Sequence, residues 1–351
     1  MAPTIPKEHK AAVCEGPNKG LVTKTVPTPQ PAEDQVLIKV SASSICYSDH
    51  LPISGAYPGV PYPMVPGHEV VGRIVAKGDR VHEQYGVGEY VGLGWNGGYC
   101  QQCDACRRGE FYACDTHTVT GVTAKSGGGH QEYVAAHWSA VVKLPEDTGL
   151  SHAEIAPLLC AGLTVSDALN YGNTKPGDPV IIQGIGGLGH LGIQIARKMG
   201  RRVIAVSRGD SKRELALKLG AHEYYSSETA EQITKKYGGA KLAIATAPST
   251  DSINGLLPLL GRNGQLVIVA VPTDGKPIEA NAFALIPPRR SIHGLTCGTS
   301  INNEDFVKFA ALGDNKVRSH INKWSLDQAN EAYEQVVEGG VHGRNVFVFE
   351  E

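Results

Sequence analysis

The sequence predicts an α/β protein in which a β-rich, barrel-like outer domain is interrupted by a doubly wound domain. Up to about residue 157, short apolar runs alternate with Gly and Pro turns, which is the pattern of β-strands. Beyond that point the apolar runs are separated by helical patterns, which implies right-handed βαβ units and a parallel sheet. After about Thr299 the mixed pattern returns and ends on "NVFVFE". The expected organisation is therefore an outer domain over 1–157, an inserted domain over 158–298, and a return to the outer domain over 299–351.

Composition narrows the class. With 351 residues, 41% hydrophobic and 19% charged, the chain can build ordinary globular cores in more than one domain. A net charge of −2 and a pI near 6.7 give no electrostatic reason to expect nucleic acid or an anionic membrane as partner. The start "MAPTIPKEHKAAV" lacks an apolar core for a secretory signal, and "VFVFEE" carries no prenylation or peroxisomal signal. No apolar run approaches the roughly 18 residues of a spanning helix. A cytoplasmic protein is expected, with its thiols reduced.

In chain order, "QVLIKVSAS", "EVVGRIVAKG", "GEYVGLGW" and "EYVAAH" are the strands of the outer domain. Between the third and fourth lies "YCQQCDACRRGEFYAC", a lobe over 99–114 that holds Cys100, Cys103, Cys106 and Cys114. The spacing C-x2-C-x2-C-x7-C lets one lobe wrap four thiolates around a tetrahedral Zn²⁺. An iron–sulfur run would place its fourth cysteine after three residues and follow it with proline. Here seven residues intervene and no proline follows, so a structural zinc is expected. Its binding energy, on the order of 10–16 kcal/mol in zinc-finger peptides, suffices to order a lobe almost without aliphatic residues.

Three other stretches supply a second ligand set. "SSICYSDH" carries Cys46 and Asp49, "PGHEVVG" carries His68 and Glu69, and "LLCAGLT" carries Cys160. A catalytic zinc needs three protein ligands and a replaceable fourth position. Cys46, His68 and Cys160 offer two thiolates and an imidazole, with Glu69 as a fourth oxygen or an outer partner. Cys14 and Cys297 read as buried small hydrophobes.

The inserted domain opens on "PVIIQGIGGLGHLGIQIARKMG", which is strand, glycine turn and helix. Gly184, Gly186 and Gly189 form G-x-G-x-x-G, so Gly184, Gly186, Gly187, Leu188 and Gly189 are expected around a dinucleotide pyrophosphate at the helix N-terminus, as in a Rossmann domain. The next strand, "RRVIAVS", precedes the helix "SKRELALKLG", and "KLAIATA" and "GQLVIVAV" are two further strands. Where NAD enzymes place an acidic residue for the ribose 2′-OH, this chain has Ser207, followed by Arg208 and Lys212. A hydroxyl and cationic groups can hold a 2′-phosphate that a carboxylate would repel. NADP(H) is therefore expected over NAD(H), although Asp210 could reach the ribose if the loop bent back.

Over nearly its whole length the chain resembles the zinc-dependent medium-chain dehydrogenase/reductase family, of the alcohol dehydrogenase and cinnamyl-alcohol dehydrogenase type. "GHEVVGRIVAKGDRV" fits that family's zinc signature from Gly67 to Val81, the four-cysteine lobe its structural zinc loop, and "GIGGLG" its cofactor turn. The resemblance implies a GroES-like catalytic domain, a Rossmann domain and two zinc ions per chain. It makes Cys46, His68 and Cys160 the catalytic ligands, with Glu69 able to coordinate during ligand exchange. It puts Ser48 on the hydroxyl that passes the alcohol proton and Asp49 on the carboxylate that orients the ligand histidine. Thr164 falls near the nicotinamide, Arg344 near the pyrophosphate, and Tyr57 and Trp95 on the substrate pocket, where two aromatics suit a flat aryl or enal substrate. Two positions depart from the family. Leu51 stands where a histidine commonly ends the proton relay, with His50 one place earlier, so Ser48 is expected to pass its proton to the ribose and then water, with His50 as the other catalytic candidate. Tyr47 replaces a basic residue that often faces the pyrophosphate.

The function implied is interconversion of an aldehyde and its alcohol, with a small-molecule substrate and a homo-oligomer, dimer or tetramer, as the expected assembly. Three other readings compete: an NAD-dependent alcohol or polyol dehydrogenase, a binding or structural protein that kept the fold, and a zinc-ribbon nucleic-acid binder. Intact ligands and Ser48 oppose the second. Near-neutral charge, with only Arg107 and Arg108 as basic residues in the lobe, opposes the third.

Overall fold

A computed structural model describes residues 4–272, 274–339 and 341–349. The chain forms two compact units. The outer unit comprises 1–160, 298–313 and 318–351, and the inner unit 161–297 and 314–317. The final strand is Arg344–Val348, and Glu350 of "NVFVFE" lies outside the described residues.

The outer unit is built on a mostly antiparallel seven-stranded sheet. Its order is Ile321–Trp324, Arg344–Val348, Gln35–Ser44, Glu69–Lys77, Tyr90–Leu93 and Val141–Lys143, with Tyr133–His137 also paired to Gln35–Ser44. Inward residues such as Val36, Ile38, Val40, Val70, Ile74, Val91 and Val134 form its core. The four expected strands are present. The hairpin Glu8–Val13/Val22–Pro27 and the strand Val141–Lys143 are additional; Val22–Pro27 is largely exposed, so no apolar run announces it. Register matters more than content here. Ser44 sits opposite Glu69 on one side and Val346 on the other, which brings Glu69 and Arg344 to one place.

The inner unit is a six-stranded sheet, parallel in every pairing. Its order is Glu223–Ser226, Arg202–Ser207, Pro179–Gln183, Ala240–Ala245, Leu260–Ile268 and Ser291–Gly294. In chain order this is 3-2-1-4-5-6, the doubly wound arrangement whose ligands bind beyond the carboxyl ends of the strands, where the order reverses. The strands Pro179–Gln183 and Ala240–Ala245 flank that switch point, and the glycine turn leaves the first of them. Val180, Ile181, Ile182, Ala243 and Ile244 are fully buried, as strands covered on both faces require. Glu223–Ser226 and Ser291–Gly294 carry too few apolar residues to stand out in the sequence.

Candidate active site

Four side chains from three separated segments converge in the outer unit. Cys46 follows the strand Gln35–Ser44, His68 and Glu69 open the strand Glu69–Lys77, and Cys160 follows the 3-10 turn Ala156–Leu159. The helix Ser300–Ala311 steadies that last segment, with Asn303 Nδ2 donating to Leu159 O at 3.0 Å. Donor atoms of Cys46, His68, Glu69 and Cys160 all lie within 4.8 Å of one another, and all four residues are buried. His68 Nε2 and Glu69 Oε1 have no hydrogen-bond partner although both are buried. An orphaned buried polar atom costs about 1–3 kcal/mol, so two of them facing two thiols call for a cation. The donor set of two sulfurs, one imidazole nitrogen and one carboxylate oxygen fits Zn²⁺.

An outer layer fixes these donors. His68 Nδ1 donates to Asp49 Oδ1 at 2.9 Å, which leaves Nε2 with its lone pair toward the cluster. The Cys46 amide donates to Asp49 Oδ2 at 2.9 Å. Burial opposes the charge on Asp49, but His68 and His130 outweigh it and hold the carboxyl well below the usual range. A hydrogen bond with Cys160, against the effect of burial and with help from His68 and Arg344, holds the Cys46 thiol well below its ordinary value. The first keeps Asp49 an ionised acceptor for His68, and the second favours the Cys46 thiolate that a metal would bind. The Trp95 ring meets His68 edge-on at 4.9 Å and 89°, so one expected pocket aromatic lies against the cluster.

Other expected residues behave differently. Arg344 is 4% exposed; its guanidinium pairs with Glu69 Oε2 and reaches Ser44 Oγ at 3.3 Å. Its visible partner is thus the cluster's carboxylate, a contact that strand register creates and a pyrophosphate role does not foresee. Ser48 is half-buried in the 3-10 turn Tyr47–Asp49 beside Cys46. His50 Nδ1 lies 2.7 Å from Tyr333 Oη, and burial lowers its pKa. Leu51 is half-buried. Tyr57 is half-buried beyond the helix His50–Ser54, tied by its amide to Leu51 O at 3.1 Å.

The cysteine lobe is a second cluster. Donor atoms of Cys100, Cys103, Cys106 and Cys114 also lie within 4.8 Å of one another. Amides aim at the sulfurs: Cys100 N–H at Cys114 Sγ and Cys103 N–H at Cys100 Sγ, each 3.3 Å. Such donors stabilise thiolate over thiol. Among the described residues, the apolar packing around them comes from Tyr99 and Phe111, stacked at 4.5 Å. No disulfide forms among the described residues. A lobe so poor in core fits a metal as its organising centre.

In the inner unit the glycine turn joins the strand Pro179–Gln183 to the helix Gly189–Lys198. A Cβ on Gly189 would fall 1.8 Å from Gly184 O, so helix and strand meet closely only because it is absent. At Gly186 a Cβ would meet nothing within 4 Å. Packing therefore does not require that glycine, whereas close approach of a pyrophosphate does. Gly187 and Leu188 complete the turn, Leu188 at the helix N-cap. Ser207 ends the neighbouring strand. Lys212 Nζ donates to Ile185 O in the turn at 3.2 Å; burial first, then the nearby Arg208 charge, lowers its pKa. Arg208 is exposed and forms no ion pair among the described residues. Asp210, in the loop after Ser207, pairs with Arg213 at 2.7 Å. Thr164 is 6% exposed on the helix Ala161–Tyr171.

Sequence reading missed Ser44, His130 and Tyr333. Each owes its place to pairing or packing over long separations, and no spacing rule signals them.

Fold and site together define a zinc-type oxidoreductase with a GroES-like domain and a Rossmann domain. Residues 32–146 match the alcohol dehydrogenase GroES-like domain, and residues 187–313 match the zinc-binding dehydrogenase domain. The chain is 38% identical to alcohol dehydrogenase patD of Penicillium expansum, covering 99% of both chains. It is 34% identical to the aldehyde reductase YahK of Escherichia coli over 90% of this chain and 91% of that one. Among solved structures, a cinnamyl alcohol dehydrogenase from Sorghum bicolor superposes with a TM-score of 0.88 at 29% identity, covering 97% and 98% of the two chains. The chain belongs to the zinc-type medium-chain alcohol dehydrogenase family, and it is an oxidoreductase acting on alcohols and aldehydes. None of its described helices is long and apolar enough to cross a membrane.

Proposed function

We propose that the protein is an NADP(H)-dependent aldehyde reductase that holds two zinc ions per chain. The outer unit acts as the catalytic domain and the inner unit as the cofactor domain. Cys46, His68 and Cys160 hold the catalytic zinc, with Glu69 and Arg344 as an exchangeable pair beside it. Cys100, Cys103, Cys106 and Cys114 hold the structural one. When bound, the catalytic zinc supplies Lewis acidity to a carbonyl oxygen and the nicotinamide supplies the hydride.

The chain's own residues do the rest. Asp49 holds His68 and the Cys46 backbone in position. Ser48, one residue after Tyr47 in the turn that carries Cys46, gives its hydroxyl proton to the nascent alcohol and takes it back in the reverse direction. Leu51 cannot carry a proton; His50, whose Nδ1 meets Tyr333, stands one position from the family's relay histidine, and the onward path from Ser48 is read as bypassing it. Trp95 shapes the apolar wall beside His68 and suits a flat aryl or enal aldehyde. Thr164 and the turn 184–189 position the cofactor.

One observation carries the cofactor choice: the second parallel strand ends on Ser207 beside Arg208 and Lys212, with Asp210 spent on Arg213. A solved neighbour, the acetophenone reductase of Geotrichum candidum at 27% identity, TM-score 0.84 and 99% coverage of both chains, is a complex with NAD. The choice therefore rests on this chain's own residues. Comparing kcat/KM for NADPH and NADH on one aromatic aldehyde tests it. Equal values, or a preference for NADH, overturn the reading. An NADPH preference supports reduction as the direction in the cell.

A further inference from the structure

Behind the ligand His68 stands a second fully buried imidazole. His130 is 0% exposed. Its Nδ1 lies 2.8 Å from Ser43 Oγ, and its Nε2 lies 3.5 Å from Asp49 Oδ2. That same carboxylate, also 0% exposed, meets His68 Nδ1 through Oδ1 and the Cys46 amide through Oδ2, each at 2.9 Å. One buried carboxylate thus touches a histidine ligand, the backbone of a cysteine ligand, and His130. The 3.5 Å contact is longer than a normal hydrogen bond, yet Nε2 has no other partner among the described residues.

The ring is confined. A Cβ on Gly67 would lie 2.4 Å from His130 Nδ1, so the glycine preceding His68 makes the room that the imidazole fills. Phe347 packs edge-on against the ring at 5.0 Å. Confinement settles the tautomer. If Nε2 were bare, its lone pair would face Asp49 Oδ2 with no water between, an uncompensated repulsion in a buried site. With the proton on Nε2, the N–H dipole points at the carboxylate, and Nδ1 accepts from the Ser43 hydroxyl.

We propose that His130 is a positioning residue for the catalytic metal: its Nε2–H, kept in that tautomer by Ser43, steadies Asp49 so that one carboxylate orients both His68 and the Cys46 backbone. The proposal rests on the reading of Cys46, His68 and Cys160 as zinc ligands. Partners in the layer behind metal ligands change metal affinity or activity by about 10–100-fold when removed. The competing account is that the ring only fills the notch at Gly67.

Zinc release from the purified holoenzyme to a metallochromic chelator separates these accounts. Wild type should release one zinc in a fast phase that Cys46→Ser lacks. His130→Phe keeps the ring volume without the N–H and should release that zinc about tenfold faster, with the slow phase unchanged. His130→Gln keeps an N–H and should stay within about threefold of wild type. The visible spectrum of cobalt-loaded enzyme should shift in His130→Phe and match wild type in His130→Gln. Release from His130→Phe at the wild-type rate overturns the proposal, and so does release from His130→Gln as fast as from His130→Phe. If His130→Phe does not fold, Ser43→Ala, which keeps the ring and removes the group that fixes its proton, must speed release in the same direction; a wild-type rate there overturns the proposal. A wild type without a fast-phase zinc that Cys46→Ser lacks defeats the ligand reading itself, whatever the His130 variants do.

Discussion

The two four-donor clusters of the outer unit are built in opposite ways. Cys100, Cys103, Cys106 and Cys114 are neighbours in the chain; two of them are only half-buried, and almost nothing but their own sulfurs and two stacked aromatics lies around them. Cys46, His68, Glu69 and Cys160 come from distant segments, are all buried, and stand on a sheet core that exists without them. On the proposed reading, a metal in the lobe takes the place of a hydrophobic core. In the buried cluster the hydrophobic core comes first and holds the donors for a metal. Loss of metal should therefore unfold the lobe and silence the buried site.

The largest expected effect is on the buried site's chemistry. Cys46→Ser should lower kcat/KM for aldehyde reduction by at least about a thousandfold, since the Lewis acid is worth several kcal/mol in the transition state. Its melting temperature should stay within a few degrees, and its zinc content should fall by one per chain. Cys103→Ser should do the reverse in kind, giving lost soluble yield or a melting temperature lower by about 10 °C or more, because the lobe has no other core. If the two variants showed the same pattern of stability and turnover, the division between the clusters would fail.

A smaller effect belongs to the inner unit. If Arg208 holds the 2′-phosphate as proposed, Arg208→Ala removes one charge-assisted contact, worth about 1.5–3 kcal/mol, so kcat/KM with NADPH should fall roughly 10–100-fold while NADH changes less than about twofold. Equal losses with both cofactors would make Arg208 a structural residue. The smallest effect concerns His50. Its pKa is lowered by burial from 6.5, so the unfolded chain takes up the proton first. The stability it contributes is complete above the unfolded value and is lost as pH falls through 6.5 toward the folded value. Urea midpoints of His50→Gln should depend less on pH than those of wild type between about pH 7.5 and about pH 5. In the same variant, an unchanged pH profile for alcohol oxidation is expected; a large loss with both zincs retained would make His50 the proton carrier.

The amino-acid sequence by itself determined what is local. C-x2-C-x2-C-x7-C foretells the four-thiol cluster because all its donors fall within one short loop. The glycine turn between an apolar strand and a helix marks the cofactor end of the doubly wound unit, and the proposed NADP(H) preference rests on Ser207 and Arg208, because adjacent residues in a βα turn share one end of the sheet. Strongly apolar strands were equally legible. Short or half-exposed ones, such as Glu223–Ser226 and Val22–Pro27, were not, since pairing rather than composition makes them strands. Only the tertiary structure decided that Ser44, Glu69 and Arg344 meet, through the register of three strands. It likewise decided that Asp210 turns to Arg213, that Tyr333 holds His50, and that His130 stands behind Asp49. Those contacts join residues far apart in the chain or select one rotamer among several, and a one-residue slip of register would undo them.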